Sequence, residues 1–485
     1  MDPKRRRVIT VALLIGTFLG SLDVTVVGTA MPKIVAELGG LPLYAWVFAA
    51  YLLTSTTTVP IYGKLADRWG RKPTYLLGAS LFLGASLLCG LAWSMPALIA
   101  ARALQGIGAG ALVPITMTLL GDLYAVEERA RIQGVVALVW GVSSVVGPVL
   151  GAFLLEVATW PWIFYLNLPV GGLACLVLAL SLTEEVPRAE RPIDVKGALM
   201  LTLAVVAVLG GIQLIERGPL AFAGAAFLAG GALAFGFVTI ERRAPDPVLP
   251  LELFRDPPIA FAVPACLFLG GVLFSVIAYT PVVVSGVLGK GMFAVGAALI
   301  PMSFSWAVGS YLGGRIIVRI GYRKAVRSGS ALLVVGSAGF ACTPDVQSFA
   351  LLVVSSAMAG AGFGLALPTL NVVAQERVPW ERRGAATALL QFARTVGGSL
   401  FVALLGLLLI VSLRRGLPAS VDGETLSRIL DPERWSELDE GLRQTARSAL
   451  TDALRLTLVS MAGLAALAAG ILMRFPDVKP GEKLT

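Results

Sequence analysis

Apolar runs of about 20 residues, the length a helix needs to cross the hydrocarbon core of a bilayer, recur along the whole chain. They fall at roughly 8–31, 43–62, 74–93, 96–120, 132–155, 162–182, 195–215, 219–240, 259–284, 292–313, 325–343, 348–373, 385–411 and 453–473, fourteen in all. Each is longer than a barrel strand, and none alternates apolar with polar positions throughout, so the pattern predicts helices. The first run is expected to remain as a span. Its apolar core is longer than that of a cleavable signal, and an array of further spans follows it.

The polar positions between the runs set an orientation. Lys and Arg gather in alternate short loops, which marks the cytoplasmic side. They are Lys4 to Arg7; Lys64, Arg68, Arg71 and Lys72; Arg129 and Arg131; Arg188, Arg191 and Lys196; Arg242, Arg243 and Arg255; and five residues from Arg315 to Arg327. Opposite loops carry few cations, Lys33, Arg217 and Lys290 among them. Both termini are therefore expected in the cytoplasm, in a multi-pass protein of a bacterial-type inner membrane. The segment 412–452 mixes both charges and predicts a folded or amphipathic outer loop, a place for an outer-face partner.

Composition agrees and narrows the function. The chain is 56% hydrophobic and 14% charged, with a mean hydropathy of +0.82, outside the range of soluble domains. Loops facing anionic lipid account for the net charge of +9, so no nucleic-acid partner is implied. There is no histidine, which excludes a His-ligated metal. Cys89, Cys175, Cys266 and Cys342 lie in apolar runs with no CxxC and read as small buried residues rather than disulfides or metal ligands. A GxxxxGK[ST] phosphate loop is missing, which argues against an ATP-driven pump. Paired acids at one depth are missing too, which argues against an intramembrane enzyme, and no cofactor is expected.

The chain repeats itself. GKLADRWGRK from Gly63 aligns with GRIIVRIGYRK from Gly314. Gly106, Gly108, Gly110 and Pro114 recur 254 residues later as Gly360, Gly362, Gly364 and Pro368, and VEERA at Val126 lies over WERRG at Trp380. The expected organisation is two six-helix bundles, 1–182 and 258–485, in the same orientation. Residues 183–257 carry two inserted helices, expected at the periphery. Substrate sites in such doubled proteins lie near the midplane between the repeats.

Asp23 sits inside the first apolar run, where a charge costs roughly 2.5 to 3.5 kcal/mol on insertion scales. Arg102, in the fourth run, lies at a similar depth and within reach. Two readings stand: a structural ion pair, or a carboxylate that takes up and releases a proton. Arg394 lies near the middle of the thirteenth span with no acid centrally placed in the last six spans. Its partner is Asp23 across a cavity, backbone or water, or an anionic group on a substrate. Gln133, Trp140, Phe304, Trp306 and Gln391 are further candidates for lining a central cavity.

Several stretches together resemble one family. GKLADRWGRK (63–72), RALQGIGAGA (102–111), GPVLGAF (147–153), LDVTVVGTAMP (22–32) and WPWIFYLNLPVG (160–171) are similar to the ordered motifs of the major facilitator superfamily. With fourteen spans the chain resembles its 14-helix drug/proton antiporter branch, the QacA and EmrB type, over nearly its whole length. The resemblance implies an all-α major facilitator fold of two six-helix bundles plus two inserted helices. It makes Gly63, Asp67, Arg68, Gly70, Arg71 and Lys72 a cytoplasmic latch, with Asp67 against the start of span thirteen near Gly384. Val318 replaces the acid in the second repeat, so the latch is expected to be asymmetric. The resemblance also implies proton coupling at Arg102 with Asp23, and antiport from Gly147, Pro148 and Gly151. The chain departs from the common pattern at Gly28, where Asn is usual, and at Pro161, where Arg is usual.

The resulting expectation is a monomeric secondary exporter of lipophilic small molecules such as drugs, driven by protons. A lipid or glycolipid exporter on the same scaffold is the alternative, and a non-transporting sensor or scaffold is a remote one. Asp23 is the only carboxylate deep in a span, so neutral, monocationic or lipid-like substrates are favoured over divalent cations.

Overall fold

The computed structural model describes residues 2–39, 43–184, 195–217, 220–244, 247, 251–418, 421 and 440–478, and is all-helical among them. The first unit holds α1 (Pro3–Leu38), α2 (Tyr44–Trp69), α3 (Arg71–Gly90), α4 (Met95–Leu123), α5 (Val126–Val157), the short α6 (Trp162–Tyr165) and α7 (Asn167–Ser181). Next come α8 (Val195–Arg217) and α9 (Leu220–Glu241), then α10 (Pro257–Val282), α11 (Met292–Val346), α12 (Phe349–Arg377), α13 (Arg383–Gly416) and α14 (Glu440–Met473). Starts are fixed by side-chain caps. Asp2, Ser94, Asp256 and Ser348 accept a backbone N–H from the first turn of α1, α4, α10 and α12, satisfying donors that have no partner within the helix.

Eleven helical segments among the described residues are long and apolar enough to cross a membrane. The three other expected spans correspond to α2, α5 and α8, helices of 26, 32 and 23 residues that fall outside that set. The long α11 contains two of the expected spans, with a break at Gly321, whose φ is +79°. Its repeat mate Gly70 has φ +98° and separates α2 from α3. Only glycine enters that region freely, so the last glycine of both repeated motifs marks one backbone reversal.

Helices α1–α7 pack among themselves and α10–α14 do likewise, while α2 and α5 of the first unit meet α13 and α11 of the second. Small residues set the spacing in both. A Cβ on Gly108 would fall 2.6 Å from the Gly78 carbonyl of α3, and one on its mate Gly362 would fall 2.6 Å from the Gly329 carbonyl of α11. The repeat seen in the sequence is thus a repeat of helix contacts. The inserted α8 packs on α9 and touches both α2 and α13.

The segment expected as a folded or amphipathic outer loop, 412–452, is helical at both ends. The polar stretch before the last span is helical from Glu440, because EGLRQTARSALTD is rich in good helix formers and continues the apolar helix beyond the membrane-length run. Residues 412–416 complete α13, and 419, 420 and 422–439 of the expected outer loop lie outside the described residues.

Candidate functional site

The first feature is a buried polar cluster inside the first unit. Asp23 of α1 pairs with Arg102 of α4 at 2.5 Å, both side chains fully enclosed. Gln105, one turn on from Arg102, donates to the second Asp23 oxygen at 2.9 Å and accepts from Arg102 at 2.6 Å. Asn167 at the start of α7 donates weakly to the same carboxylate oxygen at 3.4 Å. Ser86 of α3 accepts from both Gln105 and Asn167. Arg102 also donates to the Val47 carbonyl and lies 4.2 Å from the centre of the Tyr51 ring. The cluster closes on itself: a carboxylate, a guanidinium and two amides, net charge zero, drawn from α1, α2, α3, α4 and α7. Such a network tolerates an intramembrane charge because almost every polar atom has a partner.

The second feature is a central cavity of about 190 Å³ between the two units. From the first unit it is lined by α1, α4 and α5, with Ser21, Thr25, Gln133 and Trp140 on its wall; from the second by α10 to α13, with Trp306, Asn371, Gln391 and Arg394. Among the described residues, none of α8 or α9 lines it. Of the expected cavity residues, Gln133, Trp140, Trp306, Gln391 and Arg394 are there. Two are not. Phe304 is 63% exposed on the outer surface of α11, since residues two apart on a helix point to different sides and Trp306 takes the inner one. Asp23 is also absent from the wall. Ser21, Val24 and Thr25 present the cavity face of α1, and about 100° of rotation per residue turns Asp23 to the opposite face, toward α3, α4 and α7.

Trp306 stacks on Phe363 at 5.4 Å between centroids. Gly147 and Gly151 of α5 seat Thr25 and Thr29 of α1, the first so closely that a Cβ would fall 2.0 Å from the Thr25 hydroxyl. The side chain of Pro148 lies outside the described ones.

The third feature joins the units at the arginine-rich end. Asp67, near the end of α2, accepts the backbone N–H groups of Gly384 at 2.8 Å and Ala385 at 2.7 Å. These are unpaired first-turn donors of α13, so a carboxylate of one unit caps a helix of the other where the dipole favours negative charge. Burial pushes the Asp67 carboxyl up to about 7, against the lowering by the Ala385 N–H, Arg71, the Gly384 N–H and Lys64. Gly63 makes room, since its Cβ would meet Ala388 at 2.4 Å.

Arg71 is fully buried and also crosses the interface. It donates to the Trp380 carbonyl at 3.2 Å and stacks on that ring at 4.0 Å, while pairing with Asp122 at 2.7 Å. Glu184 accepts the backbone N–H groups of Arg71 and Lys72, and the Lys72 ammonium donates to the Ala179 carbonyl within its own unit. Arg68 makes no ion pair among the described residues.

Sequence reasoning missed several of these participants. Gln105, Asn167 and Ser86 were hidden because a lone polar residue in a span does not announce its partner. Asp122 had a readable signal. It ends α4, reaches both Arg71 and, at 3.4 Å, Arg383 of the other unit, and recurs at the repeat offset of 254 as Glu376, which accepts from Tyr322 at 2.5 Å.

Known proteins fit this arrangement. The chain is 36% identical over 407 residues to the multidrug transporter protein MdtP of Bacillus subtilis, covering 83% of this chain and 75% of that one. It is 32% identical over 403 residues to multidrug resistance protein 3 of the same organism, covering 82% and 78%. The solved proton:xylose symporter XylE matches with a TM-score of 0.64 at 16% identity, covering 99% of this chain and 98% of that one, a likeness of fold. The family model of the Major Facilitator Superfamily matches residues 13–402. A doubled helical scaffold with a cavity between its halves, and relatives of this identity, make the chain a member of the Major Facilitator Superfamily, a membrane transporter and not an enzyme.

Proposed function

We propose that the chain is a proton-coupled antiporter that exports amphipathic or lipophilic compounds across the cytoplasmic membrane, as a monomer with both termini in the cytoplasm. The observation that carries this reading is the pairing of a central, largely apolar cavity between the two units with one charged cluster buried beside it in the first. The multidrug relatives support the class of cargo. Asp67, Gly63, Arg71 and Asp122 form the latch that holds the cytoplasmic ends together, and its release lets the units rock so that the cavity faces the cytoplasm.

Proton and cargo use separate places. Asp23 faces away from the cavity, so its protonation does not displace cargo by contact. It loosens Arg102, shifts α1 against α4, and is felt in the cavity through Ser21 and Thr25, which are bonded to Ser143 of α5. A proton biases the two states only through a difference in affinity between them, and that difference is how far the cluster is solvated in each. The test is flux of lipophilic cations, neutral drugs and labelled lipids in proteoliposomes under an imposed pH gradient. Gradient-driven movement of the drugs supports the reading, gradient-driven movement of the lipids alone replaces drug cargo with lipid, and flux that ignores the gradient refutes antiport.

A further inference from the structure

Among the described residues, Arg394 is the one charged residue on the cavity wall. It lies part-way along α13, and its Nε is buried with no hydrogen-bond partner. It makes no ion pair among the described residues. Asp23, the acid the sequence places deep in a span, is on the far face of α1 and is held by Arg102, Gln105 and Asn167. The cavity therefore has an uncompensated positive charge at membrane depth. A buried charge of this kind is costly unless something pairs with it, and within a membrane it ordinarily marks the route of a ligand.

The surroundings define what fits. The repeat offset of 254 carries Trp140 onto Arg394, so the two units contribute an aromatic ring and a guanidinium at equivalent positions, and both line the cavity. Trp306 and Phe274 add further aromatic wall, while Ser303, Asn371 and Gln391 supply neutral hydrogen-bonding groups and no acid. A planar guanidinium binds carboxylate, sulfonate or phosphate oxygens through two parallel N–H donors.

We infer that Arg394 is an anion-binding residue and that the cavity takes lipophilic acids, aryl or alkyl compounds bearing one negative group, ahead of lipophilic cations. This rests on the exporter reading above and specifies its substrate class. The acidic group binds the guanidinium of Arg394, and the apolar body lies against Trp140 and Trp306. Lipophilic cations are disfavoured because the wall offers them no counter-charge.

Three probes sharing one fluorophore test it: dansylglycine (anionic), dansylamide (neutral) and dansylcadaverine (cationic). Binding to purified protein and flux in proteoliposomes are read for wild type, Arg394→Gln and Arg394→Lys. Wild type is expected to bind dansylglycine at least tenfold more tightly than dansylcadaverine. Arg394→Gln should weaken dansylglycine at least tenfold, since charged hydrogen bonds are lost, while dansylamide stays within about twofold and so reports an intact fold. Arg394→Lys should recover part of the loss. Equal weakening of all three probes makes Arg394 structural and overturns the inference, as does wild-type preference for dansylcadaverine. If wild type moves the neutral and cationic probes but not the acid, only the inference falls. If it moves none of the three, the exporter reading falls with it.

Discussion

The contact between α2 and α13 offers a perturbation whose size follows from the structure. In Gly63→Ala the new Cβ would sit 2.4 Å from the Ala388 Cβ and 3.0 Å from the Gly384 carbonyl. Ordinary carbon contacts are about 3.5–4.0 Å, so the helices must separate by about 1.1–1.6 Å at this point. Overpacking of this kind costs about 1–3 kcal/mol. Under the proposed rocking of the two units, the cost falls on the latched state alone, because the two helices are apart in the other. The equilibrium should move about 5- to 150-fold toward the unlatched state. Spin labels on cysteines at Trp69 and Arg382, exposed at the ends of the two units, report it by pulsed dipolar spectroscopy, with the exposed Cys342 and half-buried Cys175 replaced by serine. A longer-distance population should grow at least about fivefold over the parent. Gly28→Ala, with nothing within 4 Å of its Cβ, should leave the distribution as it was. An unchanged distribution in Gly63→Ala refutes the latch.

Three further outcomes follow from the same contacts. The Asp67 carboxyl is pushed up to about 7 when latched, from an ordinary 3.8, so the latched state holds the proton more tightly. Latching should then be most favoured in acid, weaken as pH rises toward about 7 and level off above it, and Asp67→Asn should flatten that profile in the same labelled pair. Arg102→Gln leaves the Asp23 carboxylate buried without its cation and should destabilise the protein by about 3–5 kcal/mol; unfolding in detergent should show that loss, and partial recovery in the double variant with Asp23→Asn. The Asp122–Arg383 pair is 3.4 Å long with both side chains partly exposed, so a double-mutant cycle on the latch equilibrium should give less than about 1 kcal/mol of coupling. A coupling well above that value would make this ion pair, and not Asp67, the principal fastening.

Depth was legible in the sequence, and direction around a helix was not. The length of the apolar runs placed Asp23 and Arg102 at one level, and they meet at 2.5 Å. Which face of α1 carries Asp23 was beyond reach, because both faces of an interior helix are buried and polar periodicity is silent there. The same blindness put Phe304 in the cavity beside Trp306. Glycine spacing was more informative, since a close backbone contact demands glycine at one position: Gly108 and Gly362 mark equivalent crossings, and Gly70 and Gly321 equivalent reversals. The contact of Asp67 with the start of α13 was readable through a resemblance in which Asp67 stands opposite Gly384. Asp122 obeyed the repeat offset yet escaped notice, because it and its partners Arg71 and Arg383 lie at three helix ends that only the fold assembles.

The account turns on Asp23 being the proton site while standing outside the substrate cavity. Cargo affinity and gradient-driven flux should therefore be measured together for wild type and Asp23→Asn, by quenching of tryptophan fluorescence and by proteoliposome uptake. The account predicts that Asp23→Asn binds cargo within about threefold of wild type, well under 1 kcal/mol, and loses the dependence of flux on the pH gradient. A variant that still responds fully to the gradient would leave Asp23 a structural partner of Arg102 and contradict the account.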